Sequence, residues 1–250
     1  MDIIYECYEK LYEKVKEHNQ KPNVKLLTIC PAIKGAEYKD GGLMFVGRAI
    51  NGWCPISESM GNENTIISKI KRCESCTLDW VVGENTWSHC LESDCPYAKA
   101  QSDPIDGRGK NSPFWQMVKF ICKEEGITED WYKKIVWTNL YKASYENGGN
   151  PSGFYGEQIK ICNEILIEEI KRYKPKIIYF ITETNRKKPM PSNRTWFCYT
   201  YPGGIHFKSV YDYPRDHKQG IEQVYILTRP EYHNKDEVFA RKEVLYSIDK

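Results

Sequence analysis

The stretch LMFVGRAINGW, residues 43–53, places four apolar residues directly before a glycine, an arginine and, further on, an asparagine. A continuous apolar run this short is typical of a β-strand that is buried on both faces. A polar group at the end of one such strand is unremarkable. Its meaning depends on whether other strands of the chain end in the same way.

Helical patterns alternate with further apolar runs of this kind. One pattern opens with Ser112 and Pro113, another runs from Tyr155 to just before Pro175, and the first 20 residues also have helical spacing. The apolar runs that predict further buried strands are residues 135–137, 176–181 and 224–227. Strands that alternate with helices predict a mainly parallel sheet with helices on both faces.

Each predicted strand is followed by polar residues. These four segments are residues 47–53, 138–142, 182–185 and 228–234. The carboxyl ends of parallel strands meet at one edge of a sheet, and ligands of such sheets bind there. Four polar strand ends at one edge predict a cleft that is lined by amide and cationic side chains.

The composition is that of an ordinary globular protein. The formal net charge of the 250 residues is +2, so any contact with nucleic acid depends on local basic patches. The 18 Tyr and 7 Trp residues serve cores and also surfaces that stack on flat ligands. The charged N-terminal segment and the lack of long apolar stretches argue against a signal peptide and a membrane span, and they predict a cytoplasmic protein.

The 10 cysteines of a chain expected to be intracellular favour free thiols or a metal site over disulfides. Four of them have the spacing C-x2-C-x13-C-x4-C, namely Cys73, Cys76, Cys90 and Cys95. This spacing suits zinc or a 4Fe-4S cluster without choosing between them, and four unrelated thiols are the alternative. The other six are expected to be small apolar fillers: Cys7, Cys30, Cys54, Cys122, Cys162 and Cys198.

Five segments in this order resemble motifs of the uracil-DNA glycosylase superfamily: LMFVGRAINGW, SPFWQMVKFICKEEGI, IVWTNLYK, YKPKIIYFIT and VYILTRPEYHN. The resemblance spans residues 43–234. It implies a single domain over residues 1–250, a three-layer α/β sandwich around a central, mainly parallel four-stranded sheet. Residues 54–111 then form a cysteine-rich insert, and the aromatic residues of 195–214 predict a hairpin.

Carried over residue by residue, the resemblance implies the substrate-binding groups. Asn139 is expected to hydrogen-bond the edge of an extruded base, and Phe114 to stack on its face. Trp115 either shares this stacking or packs in the core. Gly47 and Arg48 of the first motif are expected to line the same pocket.

The first and last motifs depart from the family pattern. The carboxylate or amide that usually activates water soon after the first-motif glycine is absent, and Asn51, further along, is the nearest group able to orient water. The usual histidine of the last motif corresponds to Arg229, which is followed by Glu231 and His233. We expect Arg229 to stabilise the departing base anion and Asn51 or Glu231 to activate water.

The segment NKDEVFARKEVL, residues 234–245, has a helical pattern. In the superfamily that this chain resembles, the loop after the last motif enters the minor groove of DNA. Lys235, Arg241 and Lys242 are therefore expected to neutralise DNA phosphates.

These features predict a DNA glycosylase that acts as a monomer. It is expected to hydrolyse the N-glycosidic bond of a flipped, modified pyrimidine, such as a phage-type modified cytosine, and to leave an abasic site. One alternative is a non-catalytic module that binds modified DNA or a nucleotide on the same fold. Another is a nucleotide hydrolase with a metal ion bound by Glu183 and Glu231.

Overall fold

The computed structural model describes residues 2–49, 66–74, 78, 81, 112–145, 151–183, 220–228, 235–240 and 243–247. The α-helices are α1 (Ile3–Asn19), α2 (Ile66–Glu74), α3 (Pro113–Glu124), α4 (Tyr155–Tyr173) and α5 (Lys235–Ala240). The strands are β1 (Leu27–Ile29), β2 (Ile33–Lys34), β3 (Leu43–Ala49), β4 (Ile135–Tyr141), β5 (Ala143–Tyr145), β6 (Ile177–Glu183), β7 (Gln223–Thr228) and β8 (Glu243–Ser247). Short 3-10 helices, Trp131–Lys134 and Ser152–Phe154, precede β4 and α4.

Six of the strands form one sheet in the order β2-β4-β3-β6-β7-β8. The four central strands are parallel, whereas β2 and β8 at the edges run antiparallel to their neighbours. The central strands are the four that the apolar runs predict. A mixed α/β structure with a mainly parallel sheet is therefore confirmed, although the sheet is wider than the predicted four strands.

The sheet carries helices on both faces. Leu43 and Phe45 of β3 belong to an apolar cluster that includes α3, whereas Met44 and Val46 belong to a second cluster that includes α4. Consecutive residues of a strand point to opposite faces, so the odd-numbered and the even-numbered residues must both be apolar here. Burial on both faces is the reason for the continuous apolar run in this part of the sequence.

The helix predicted over residues 234–245 is wrong in its second half. Helix α5 ends at Ala240, and Glu243 begins strand β8, which pairs with β7. The free edge of β7 offers unpaired backbone groups, and pairing with them prevails over the helical spacing of the side chains.

The N-terminal amphipathic helix is confirmed as α1. Its first turn is capped by Asp2, whose carboxylate accepts a hydrogen bond from the backbone nitrogen of Ile4. A third apolar cluster joins α1 to α4 and to the small sheet of β1 and β5. None of the helices described here is both long enough and apolar enough to cross a membrane.

The predicted limits of the two other helices are also confirmed. Pro113 is the first residue of α3, where its fixed φ angle and missing N–H group suit the helix start. Helix α4 ends at Tyr173, and Lys174 adopts the left-handed conformation with a φ of 43°. Pro175 follows directly, and a helix does not continue through a proline at this point.

Candidate functional site

Polar residues that were expected to follow β3 and β4 lie within the last residues of these strands. β3 continues past its apolar run to Ala49, and β4 continues to Tyr141. Gly47 and Asn139 are paired residues of this parallel ladder. The predicted strand ends are too early, because a ladder continues wherever backbone groups pair, whereas an apolar run marks only the part buried on both faces.

Gly47, Asn139 and Phe114 meet at the carboxyl edge of the sheet. A Cβ atom at Gly47 would lie 2.5 Å from the Asn139 Oδ1 atom and 3.3 Å from the Phe114 ring. The first distance is too short for any real Cβ atom, so the absence of a side chain at position 47 is what allows Asn139 to lie there. Three of the predicted substrate-binding residues are thus brought together.

Asn139 is buried, with 3% of its surface exposed. Its amide can hydrogen-bond to water or to a ligand. The amide offers two donors and one acceptor oxygen to such a ligand.

Phe114 lies at the start of α3 and is partly buried against the sheet. Its ring makes an edge-to-face contact with Trp115, with ring centroids 5.1 Å apart. Trp115 is 5% exposed and packs against Trp131 and Trp137 inside the core. Of the two roles left open for Trp115, the core role is the observed one, and Phe114 is the aromatic residue beside Asn139.

Arg48 follows Gly47 in the chain but lies in different surroundings. Its guanidinium is within hydrogen-bonding reach of the Tyr141 hydroxyl, and the Tyr141 ring stacks on Tyr155 with a centroid distance of 4.9 Å. Burial raises the pKa of Tyr141, and the positive charge of Arg48 partly opposes this shift. Strand alternation directs Arg48 away from the face on which Gly47, Phe114 and Asn139 meet.

A buried polar network supports the end of β4 from the α4 side. Lys142 Nζ lies 2.6 Å from Glu169 Oε2, and the Thr138 hydroxyl donates to the same oxygen at 2.8 Å. Lys142 also donates to the Thr138 hydroxyl, and the Tyr8 hydroxyl donates to Glu169 Oε1 at 2.9 Å. Sequence reasoning placed Lys142 in the cleft, whereas its side chain is 0% exposed and holds β4, α4 and α1 together.

The residues predicted to carry out the reaction lie outside the described residues. They are Asn51, Arg229, Glu231 and His233. Their assignment stays a prediction. The aromatic hairpin predicted over residues 195–214 lies outside the described part of the chain as well.

The predicted metal site is also largely outside the described residues. Cys76, Cys90 and Cys95 are not described, and Cys73 is described only as part of the helical backbone at the end of α2. Across the described ranges, no three His, Cys, Asp or Glu residues form a group that could hold a metal ion. Zinc or a 4Fe-4S cluster on these four cysteines stays a prediction.

Four of the cysteines predicted to be apolar fillers are described, and this prediction is confirmed for them. Cys7, Cys30, Cys122 and Cys162 are free thiols that are buried in the apolar clusters. Burial raises the pKa of Cys162 to about 12, although a hydrogen bond from the Lys142 backbone opposes the shift. This thiol is therefore protonated at neutral pH and is not a nucleophile.

The described site is suited to recognising a flat, polar ring. The Asn139 amide can bind the edge of such a ring, the Phe114 ring can stack on its face, and the absence of a side chain at Gly47 leaves room for both of these groups. No protein-family model, no curated protein and no solved structure matches the chain. The interpretation of the site therefore depends on its fold and its geometry.

Proposed function

We propose that the protein is a DNA glycosylase of the uracil-DNA glycosylase type, which extrudes a modified pyrimidine from DNA and hydrolyses its N-glycosidic bond. The observation that carries the proposal is the close approach of the Asn139 amide and of the Phe114 ring to Gly47. The order of β4, β3, β6 and β7 supports it, since it directs the last residues of four parallel strands to one edge.

Recognition uses the edge and the face of the base. A pyrimidine edge presents both donors and acceptors, and the Asn139 amide can pair with both kinds of group. A base in a duplex is already paired and stacked, so these contacts require that it first be rotated out of the helix. Phe114 then replaces the stacking that the base loses.

The reaction adds water to the sugar carbon while the base departs with the bonding electron pair. Arg229 donates to the base oxygen that gains negative charge, and Asn51 or Glu231 holds the water and directs its lone pair to the sugar carbon. The proton released by water goes to Glu231 or to the departing base. His233, two residues after Glu231 in the sequence, assists this proton transfer.

The preferred substrate in this proposal is a modified base such as a phage-type modified cytosine, in repair or in defence. Arg48, Ala49 and Ile50 follow the first-motif glycine, where a water-activating carboxylate or amide is usual. Such a change alters the pocket and the position of the water together. The four cysteines of the insert would bind zinc or a 4Fe-4S cluster as a structural staple, because that segment is poor in apolar residues.

The test is to incubate the protein with three DNA substrates, which contain uracil, a mismatched thymine or a hypermodified cytosine, and to measure abasic sites. We expect abasic sites from modified-cytosine DNA, and a rate lower by about 100-fold or more for Asn139→Ala, which removes the base-reading amide. Asn163→Ala is the matched control, since Asn163 is also a buried asparagine but lies on α4. Abasic sites from none of the substrates, or equal rates for the two variants, would contradict the proposal.

A second candidate function is recognition of modified DNA or of a nucleotide without excision. The departure in the first motif favours it, because Asn139 and Phe114 suffice for recognition while the usual water-activating group is missing. Fluorescence anisotropy with the same three DNA substrates separates the two functions. Binding that depends on Asn139 without any abasic sites would establish the binding module.

A further inference from the structure

Two buried polar atoms at the carboxyl edge of the sheet have no hydrogen-bond partner among the residues that the structure describes. They are Arg48 Nε at the end of β3 and Thr182 Oγ1 at the end of β6. The whole Thr182 residue is 0% exposed. Buried polar atoms are nearly always hydrogen-bonded, so two such atoms on neighbouring strands indicate that a partner is missing there.

The topology places Arg48 and Thr182 at the same level of the sheet. β3 and β6 are adjacent and parallel, and Val46 pairs with Phe180. Arg48 and Thr182 each lie two residues further along, beyond the last paired residues of this ladder and within the last residues of their strands. A ligand at the carboxyl edge of the sheet would face the ends of both strands.

A β-bulge occurs at Thr182. The pairing of β6 with β7 shifts between Ile181 and Glu183, which leaves Thr182 as the extra residue. Bulges redirect side chains and are frequent beside functional sites, whereas a regular strand end would not need one. The bulge is a second feature, independent of the two atoms without partners, that marks this edge.

The chemistry of the two atoms limits what the partner is. A guanidinium nitrogen only donates, so the partner of Arg48 must be an acceptor, and a cation favours an anion. The Thr182 hydroxyl can donate to the same group. The Arg48 guanidinium also hydrogen-bonds to the Tyr141 hydroxyl, and its Nε is the atom that has no partner among the described residues.

We infer that Arg48 and Thr182 form an anion subsite that binds a phosphate group. The subsite lies on the other side of β3 from the base-reading residues, since Arg48 and Gly47 are consecutive and point to opposite faces. A nucleotide bound across the end of β3 would thus place its base against Asn139 and its phosphate against Arg48. The assignment of this phosphate to a DNA nucleotide rests on the proposed function, whereas the anion subsite does not.

The test is a calorimetric titration of the protein with inorganic phosphate, without DNA. We expect Arg48→Gln and Thr182→Val each to weaken phosphate binding by at least about 10-fold, the loss expected for a charge-assisted hydrogen bond. Thr182→Val keeps the shape of the side chain and removes only the hydroxyl, so it is the variant expected to fold normally. Lys39→Gln is the control, because it removes the charge of an exposed lysine at the opposite edge, before the amino end of β3.

A second titration uses a short single-stranded oligonucleotide and separates free phosphate from DNA phosphate as the ligand. Tighter binding of the oligonucleotide, with the same losses in both variants, would assign the subsite to DNA. No binding of either probe, or equal affinity in Arg48→Gln, Thr182→Val and Lys39→Gln, would overturn the inference. Phosphate binding in a protein that produces no abasic sites would leave the subsite standing and remove only the proposed excision.

Discussion

At the scale of single residues, the site depends on a position that has no side chain. Gly47 is surrounded by the Asn139 amide and the Phe114 ring, which approach to 2.5 Å and 3.3 Å from the place of a Cβ atom. The amide oxygen cannot stay there if any other residue replaces the glycine. A residue that contributes only its small size thus controls the position of the Asn139 amide.

Gly47→Ala is expected to displace the Asn139 side chain and to lower the free energy of unfolding by about 1–3 kcal/mol, because the added methyl group overfills a packed site. Urea denaturation measures this change. Gly156→Ala adds the same methyl group in the first turn of α4, where nothing lies within 4 Å. The control variant should be more stable than the wild type by about 0.5–1 kcal/mol, since alanine favours a helix. Equal effects of the two substitutions would contradict the crowding at Gly47.

At the scale of the elements, the end of β4 is fixed by the network of Lys142, Thr138 and Glu169. Glu169 belongs to α4 and also accepts hydrogen bonds from the Tyr8 hydroxyl and the Ala32 backbone. A single carboxylate therefore connects α1, α4, β4 and the chain before β2. Because Asn139 follows Thr138 directly, this network supports the position of Asn139 from the opposite face of the sheet.

Lys142→Met is expected to lower the free energy of unfolding by about 3–5 kcal/mol, because it leaves the Glu169 carboxylate buried without its charge partner. Chemical denaturation monitored by far-UV circular dichroism measures the loss. Lys14→Met is the matched control, since the Lys14–Glu157 pair is exposed at 39% and 59%. The control substitution should lower the free energy of unfolding by less than about 1 kcal/mol. A small cost for Lys142→Met would mean that the network does not support β4.

The elements also show how far the sequence allowed prediction. Four strands and the three helices α1, α3 and α4 were predicted correctly, because continuous apolar runs and helical spacing record burial directly. The strand β8 was missed, because residues 243–247 form a strand only by pairing with β7. The order of the motifs predicted that Gly47, Phe114 and Asn139 would share a site, but it did not separate Arg48 from them. That separation follows from which face of β3 each residue occupies.

At the scale of the whole molecule, the described core contains several acidic groups that burial keeps neutral. Burial raises the pKa of Cys162 to about 12, and it also raises the pKa of Cys122, Tyr38, Tyr141 and Tyr179 above their ordinary values. The unfolded chain releases these protons near the ordinary values of 9.0 for cysteine and 10.0 for tyrosine. The folded chain retains them at the same pH.

These groups are therefore expected to make their full contribution to the free energy of unfolding below about pH 8.5. This contribution falls as the pH rises further. Above this pH the unfolded state binds fewer protons than the folded state. Each group therefore lowers the free energy of unfolding by up to about 1.4 kcal/mol per pH unit. Urea denaturation between pH 7 and pH 11 measures the slope. Cys162→Ala should reduce the slope above pH 9, whereas stability that is constant up to pH 11 would contradict the burial of these groups.

The sequence by itself determined the central part of the architecture. Four apolar runs, the first three of them separated by helical patterns, are typical of parallel strands that are buried on both faces between two layers of helices. The tertiary structure decided which polar residues meet. Asn139 lies beside Gly47 and Phe114, and Lys142 lies beneath β4, because of strand register and of packing between segments that are distant in the chain. Such contacts depend on the free energy of the whole fold, which no local pattern of residues records.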